Sequence, residues 1–469
     1  MMSYKDQVYD HQTIIAQCTP SGPGALALIR ISGPQAILIA DNMSKLGSGK
    51  KLINLPSHTI HYGFIRNQDG SPVDQVLFLL MRNPRTFTGE DTIEITCHNN
   101  QFIIEQIIQL AITQGARLAR GGEFTQQAVE NNKIDLLQAE AIHELIHAQT
   151  EYALKYSLAQ LEGSLSFWIV SLENKLYKAL ALSEASFEFL DEENLEFGSD
   201  IANIIQDVLE KINEIKISFG QQKHIRDGIR IALVGSVNAG KSSLFNALLK
   251  KNRAIVNAQA GTTRDSIEAG IYKKNSFWTL IDTAGLRQTD DAIEQEGIRR
   301  SFEQAHLADI IIVVYDGSRI TSPEEEVIYN KIISDYNSKI IRVFNKSDML
   351  PELYTQESTA LYTSTKTTNN ILELERILEE KTAELLTAST TPFLLNKRHF
   401  NSVLDLEKKL LSLLPQLTPS HNNNYNNTIQ YELVSLELRD ILEHLSQMTG
   451  RTVSERGMDT VFREFCVGK

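Results

Sequence analysis

Gly235-Ser-Val-Asn-Ala-Gly-Lys-Ser242 decides how this chain is read. Two glycines with four residues between them, then Lys and Ser, make the phosphate-loop pattern. The mostly apolar run 229–234 ahead of it reads as a buried strand, and 243–249 behind it reads as the start of a helix. In that setting the backbone from Asn238 through Ala239, Gly240, Lys241, Ser242 and Ser243 can curl its N–H groups around a polyphosphate. Lys241 brings a point charge to the terminal phosphates, and the Ser242 hydroxyl can ligate Mg²⁺. The competing reading is a glycine-rich strand–helix turn that binds nothing, and it weakens with each partner motif downstream.

Four such partners follow, in the order a guanine-nucleotide switch requires. Gly261-Thr-Thr-Arg-Asp265 offers a threonine hydroxyl, assigned to Thr263, to Mg²⁺ and the terminal phosphate. A strand at 279–281 leads into Asp282, Thr283, Ala284 and Gly285; the carboxylate acts on Mg²⁺ through its water shell, and the Gly285 N–H can reach the γ-phosphate. A strand at 340–344 leads into Asn345, Lys346, Ser347 and Asp348. Asp348 can accept both N1–H and the 2-amino group of guanine, whereas adenine offers it no matching donors. Ser364, Thr365 and Lys366 stand where a loop backs the base. Each motif alone is weak; together, with a strand at 310–314 and a crossover helix at 323–333 between them, they specify GTP over ATP. The residue after Gly285 is Leu286, where Ras-like proteins carry a water-orienting glutamine. Hydrolysis then needs another group, and Glu294 or Glu296 is within reach in sequence. On residues alone, acids there also suit a helix start.

Outward from this core, 469 residues imply about two to four domains. Hydrophobic content of 42% and charged content of 22% are those of ordinary globular material. The first residues lack a signal-peptide core, and no apolar run is long enough to span a bilayer. Three scattered cysteines, Cys18, Cys97 and Cys466, argue for a reducing compartment, so a cytoplasmic location without membrane attachment is expected. A net charge of −13 argues against broad, charge-driven nucleic-acid binding, so any RNA contact is local or shared with a partner.

Residues 1–123 read as a mixed α/β domain, with strands near 13–17, 25–31, 60–65, 76–81 and 92–96 and a helix over 102–112. From 124 to 221 the texture is helical, with apolar residues at three- and four-residue spacing and a further amphipathic helix at 201–219. Residues 222–388 form the nucleotide domain. Helical periodicity returns over 389–469, at 401–414 and 431–448. The fold class expected is thus α/β and all-α multidomain: an N-terminal α/β domain, then a helical domain split in sequence by an inserted Ras-like P-loop GTPase domain. Cys97 and His98 complete no metal site and read as a packed strand end.

The order of these motifs, the split helical region and the ending Phe465-Cys-Val-Gly-Lys469 resemble the MnmE (TrmE) family of tRNA modification GTPases over essentially the whole chain. Thr19-Pro-Ser-Gly-Pro-Gly-Ala25, Thr86-Phe-Thr-Gly-Glu-Asp91, Gly122-Glu-Phe-Thr125 and Asn132-Lys-Ile-Asp-Leu-Leu-Gln-Ala-Glu-Ala141 look like its signatures. The resemblance implies that the first domain binds tetrahydrofolate, in its 5-formyl or methylene form, and forms a homodimer. Arg30, Glu94, Lys133 and Lys469 fall at the family's folate positions. It further implies an FAD-dependent partner, joined in a heterotetramer, and addition of a carboxymethylaminomethyl or aminomethyl group to C5 of wobble uridine (position 34) in certain tRNAs. Cys466 belongs to the family's terminal motif, and we take it as a candidate in that chemistry. Hydrolysis activated by K⁺ and by contact between two G domains is also implied, with Asn238, Asn257, Gln259 and Thr262 as K⁺ ligands. Within the acidic run, Glu294 matches the family's water-orienting glutamate.

Four places depart from the family pattern: Val237, Pro23, the pair Asn99-Asn100, and Gly121. None of them removes a carried-over ligand. Two readings compete with this one. A regulatory RNA-binding GTPase of ribosome assembly would want a basic RNA-binding module, which this acidic chain lacks. A structural dimer without hydrolysis would have no use for Lys241, Thr263 and Asp282 together.

Overall fold

Strands and helices alternate twice along the chain, and each round builds its own sheet. The computed structural model describes residues 12–148, 150–186, 197–250, 254–255, 267–273, 276–283, 302–349, 360–386, 391–417, 429–452, 458, 461–462, 465 and 468. Packing divides the chain into two units. The first comprises Met1–Ile146, Gln160–Leu209 and Asn401–Lys469; the second comprises His147–Ala159 and Glu210–Phe400.

The first unit opens with β1 (Ile14–Gln17), β2 (Leu26–Ser32), β3 (Ser44–Leu46), β4 (Thr59–Arg66), β5 (Pro72–Met81), β6 (Thr92–His98) and β7 (Arg117–Leu118). They form one sheet in the order β3-β4-β5-β6-β2-β1-β7, antiparallel except for the β1–β7 pair. Alternation decides which side faces inward. Ala27, Ile29 and Ile31 of β2, with Ile93 and Ile95 of β6, are buried together with Ile104, Ile107 and Ala111 of the helix Gln101–Thr113. On the opposite side of β2 and β6, Arg30 lies directly across from Glu94. The Asn pair that departs from the family pattern has local work here. Asn100 caps the helix by accepting from Phe102 N, and Asn99 Nδ2 donates to Gly22 O at 2.7 Å, tying down the glycine-rich turn.

The helical part of this unit contains Leu136–His147, Ser164–Ala185 and, after the long insertion, Tyr431–Thr449. Ser183 Oγ lies 2.8 Å from Ser435 Oγ, and Arg451 donates to the buried Glu173 at 2.9 Å, so residues far apart in sequence close one bundle. Past that last helix, Met458, Phe462 and Phe465 pack on Leu136 and Ala139, and the Phe465 ring lies 4.9 Å from His143. The tail then reaches the first domain. A Cβ at Gly121 would stand 2.6 Å from Phe465 O, and one at Gly468 would stand 2.4 Å from Gln17 O. At Gly121 the absence of a side chain is what allows this approach.

The second unit holds β8 (Ile229–Gly235), β9 (Ala254–Ile255), β10 (Ile267–Lys273), β11 (Ser276–Asp282), β12 (Ile310–Asp316), β13 (Ile340–Asn345) and β14 (Leu361–Tyr362). The order is β14-β13-β12-β8-β11-β10-β9, with β11, β8, β12, β13 and β14 parallel and β10 antiparallel to its neighbours. Both faces are covered, which is why these strands read as unbroken apolar runs. Ile231, Leu233, Leu244, Ile371 and Leu374 fill one side; Ala232, Val234, Ile311, Tyr329 and Ile332 fill the other. The crossover helix Pro323–Tyr336 starts with a full capping box, Ser322 with Glu325.

One helix is longer than the sequence predicts. The expected 201–219 extends over Phe197–Asp227, because Gln222 is buried and satisfied by its surroundings rather than solvated. It donates to Thr391 Oγ1 and Phe393 O and accepts from Leu395 N. Among the described residues no helix is long and apolar enough to cross a membrane.

Candidate functional site

The phosphate loop leaves the C-terminal end of β8 and enters the helix Lys241–Lys250, at the strand ends where parallel α/β sheets bind ligands. Its two glycines answer to two close approaches. A Cβ on Gly235 would lie 2.3 Å from Val314 O of β12, and one on Gly240, at φ 91°, would lie 2.1 Å from Asn345 Nδ2. Asn238 takes φ 65°, a left-handed value that asparagine tolerates, and is exposed. Ser242 and Ser243 are also exposed, at the N-terminus of the helix.

Lys241 is buried and donates to Gly235 O at 3.0 Å and Ser236 O at 2.9 Å. Burial pulls its pKa down, and Asp282 opposes that shift. At the end of β11, beside β8, Asp282 is 8% exposed and its Oδ1 has no hydrogen-bond partner. A buried carboxylate oxygen without a hydrogen-bond partner, close enough to Lys241 for the two charges to act on each other, fits a hydrated Mg²⁺. Thr283 Oγ1 donates to Leu233 O at 2.7 Å, which fixes the start of the loop after β11.

The base end is built from β12, β13 and β14. Asn345 is buried and joins the two ends of the site, its Nδ2 donating to Ala239 O at 3.2 Å. Lys346, at φ 61°, donates to Asp316 Oδ2 at 2.8 Å. Asp348 is exposed and accepts from Ser364 Oγ at 2.6 Å; that bond and the Lys366 charge help hold its carboxyl below the usual range. It is therefore ionised at neutral pH, as reading guanine requires. Thr365 is half-buried and Lys366 exposed in the same turn. Sequence reasoning passed over Asp316, although Asp316-Gly317 directly after an apolar strand is the signal that marks a loop at this edge of the sheet.

Several site residues lie outside the described residues: Asn257, Gln259, Thr262, Thr263, Ala284, Gly285, Glu294, Cys466 and Lys469. In the first unit, Arg30 Nε and Nη2 both bond Glu94 Oε1, at 2.9 and 2.7 Å. The guanidinium lies 5.7 Å from the Phe87 ring centre and 5.4 Å from that of Phe124. Lys133 is exposed and donates to Pro84 O. Cys97 is buried at the end of β6, where burial and then Asp74 push its thiol up to about 11. Neither Cys97 nor His98 belongs to a metal-ligating cluster among the described residues.

Comparison with known proteins gives the family. The family model described as the MnmE helical domain matches residues 136–466, and that of the GTP-binding protein TrmE N-terminus matches residues 13–133. A tRNA modification GTPase MnmE of Parabacteroides distasonis is 35% identical over 97% of this chain and 100% of its own length. One from Acetivibrio thermocellus is 36% identical over 98% of this chain and 100% of its own. The solved G domain of the T. maritima FeoB iron transporter aligns at 24% identity over 34% of this chain and 99% of that one, with a TM-score of 0.27, too slight a likeness to bear on the fold. With a phosphate loop, a guanine-reading edge and a split helical region in place, and with such relatives matched from end to end, this chain belongs to the MnmE (TrmE) family of tRNA modification GTPases.

Proposed function

We propose that this chain is a GTP-hydrolysing enzyme of tRNA wobble-uridine modification. The observation that carries the reading is the guanine-nucleotide site of the second unit, inserted within the helical region that defines the family. In this reading Ser242, Thr263 and Asp282 would hold Mg²⁺, which would supply positive charge to the phosphates as negative charge develops on them. The chain's own residues cradle the phosphates (Gly240, Lys241), orient the base (Asp348, Ser364) and, through Glu294, orient the attacking water. Arg30, Glu94, Lys133 and Lys469 would hold a tetrahydrofolate carbon donor. The Arg30–Glu94 pair supports this, since both arginine bonds fall on Oε1 and leave Oε2 to accept from a pterin. A homodimer is supported by an apolar stripe on the first sheet, where Ile60 and Tyr62 of β4 and Leu77 of β5 stay 65, 46 and 42% exposed. An FAD-dependent partner and tRNA complete the proposal.

Wobble-uridine nucleosides in tRNA from cells lacking the protein are the test. The C5-modified forms should disappear and return with the intact gene; unchanged nucleosides would leave a regulatory GTPase that binds ribosomal RNA as the better reading. Potassium is a separate expectation, resting on Asn238, on the loop sequence from Asn257 to Thr262 and on Leu286 in place of glutamine. GTP turnover should rise at least about tenfold when K⁺ replaces Na⁺ at constant ionic strength, and Asn238→Ala should blunt the rise. Equal turnover in both salts would remove K⁺ from the site.

A further inference from the structure

Tyr329 sits on the crossover helix Pro323–Tyr336, outside every nucleotide motif, and is 2% exposed. Its hydroxyl is engaged on both sides: it accepts from Ser236 N at 2.8 Å and lies 3.4 Å from Val314 O as donor. Ser236 is the second residue of the phosphate loop and is itself 2% exposed, so water cannot replace that partner. The same Val314 carbonyl is the atom that forbids a side chain on Gly235. Lys241 bonds the Ser236 carbonyl from the other side. The ring is fixed in turn by Tyr315, at 4.5 Å between centres, and Tyr315 stacks on Phe344 next to Asn345.

We propose that Tyr329 is a positioning residue for nucleotide binding, its hydroxyl holding the phosphate loop by the Ser236 N–H in the shape that receives a polyphosphate. This rests on the guanine-nucleotide reading above. The loop's peptide groups must converge on one point, and a loop free to rotate at Ser236 must be ordered by each nucleotide that binds. The hydroxyl acts on the loop before any chemistry, so its loss weakens GTP and GDP alike. That is uniform binding, which raises KM and leaves kcat.

Tyr329→Phe keeps the ring and removes only the oxygen. It should raise Kd for mant-GDP and KM for GTP about tenfold, with kcat within about twofold, and the Ser236 N–H left without its partner should also lower the unfolding temperature by a few degrees. A merely structural tyrosine would lower the unfolding temperature but leave Kd and KM alone, and that result would overturn the proposal. Amide exchange in the parent protein supplies a measurement that does not depend on a variant folding. The Ser236 amide should be protected without nucleotide; exchange at the rate of an open loop would equally overturn the proposal. Failure of the parent to bind mant-GDP at all would sink the nucleotide reading as well, whereas normal parent binding with an unchanged Phe variant sinks the role of Tyr329 alone.

Discussion

Asp348→Asn is expected to cut kcat/KM for GTP by about 10⁴ and to create activity toward xanthosine triphosphate. The carboxylate is held by Ser364 Oγ at 2.6 Å and stays ionised, so it presents acceptors only. Guanine offers it two donors, N1–H and the 2-amino group. An asparagine amide would turn one acceptor into a donor facing that amino group, leaving two donors opposed in the complex. Xanthine carries a carbonyl at that position, and the amide then matches it. Competition assays with GTP, XTP and ATP read the exchange directly. An Asn variant that keeps parental kcat/KM for GTP would mean that the β13–β14 edge does not read the base.

Lys241→Met is expected to lower GTP turnover by about 10³, with folding without nucleotide unharmed. The ammonium is buried against the Gly235 and Ser236 carbonyls, and burial drives its pKa below the ordinary 10.5. A buried cation disfavours the folded state, so a thioether of similar length should leave stability equal or higher. The pH dependence has a definite sign. Between the lowered folded value and 10.5 the unfolded chain keeps a proton that the folded chain releases, so this group makes stability rise with pH in that window. The Met variant should lose that increment. Denaturant titrations at neutral and alkaline pH compare the two proteins. A Met variant that unfolds far more readily at neutral pH would show that Lys241 braces the fold.

The nucleotide unit was largely legible because its physics is local in sequence. A buried parallel strand must be apolar on both faces, and a loop that wraps phosphate must place glycine where neighbouring chains come close, as Gly235 does at Val314 and Gly240 at Asn345. Residues that act by meeting a distant partner were opaque. Gln222 looks like a solvated polar residue and is a buried clamp on residues 391–395. Tyr329 looks like one more apolar contact on a helix, and only its hydroxyl, meeting a backbone amide 93 positions earlier, separates it from its neighbours. The Arg30–Glu94 pair was named singly from resemblance; that the two face each other across β2 and β6 is a matter of strand register, which spacing alone does not give.

The seat of Gly468 on Gln17 joins residues about 450 positions apart. At about 5–20 residues per second of translation, the first sheet waits roughly 20 to 70 seconds for the segment that packs on it. For that interval Gly121, Leu136 and Ala139 face the ribosome's surroundings without Phe462 and Phe465. Ribosomes paused within the nucleotide domain should therefore leave this surface more open to protease, a sensitivity that completion of the chain removes.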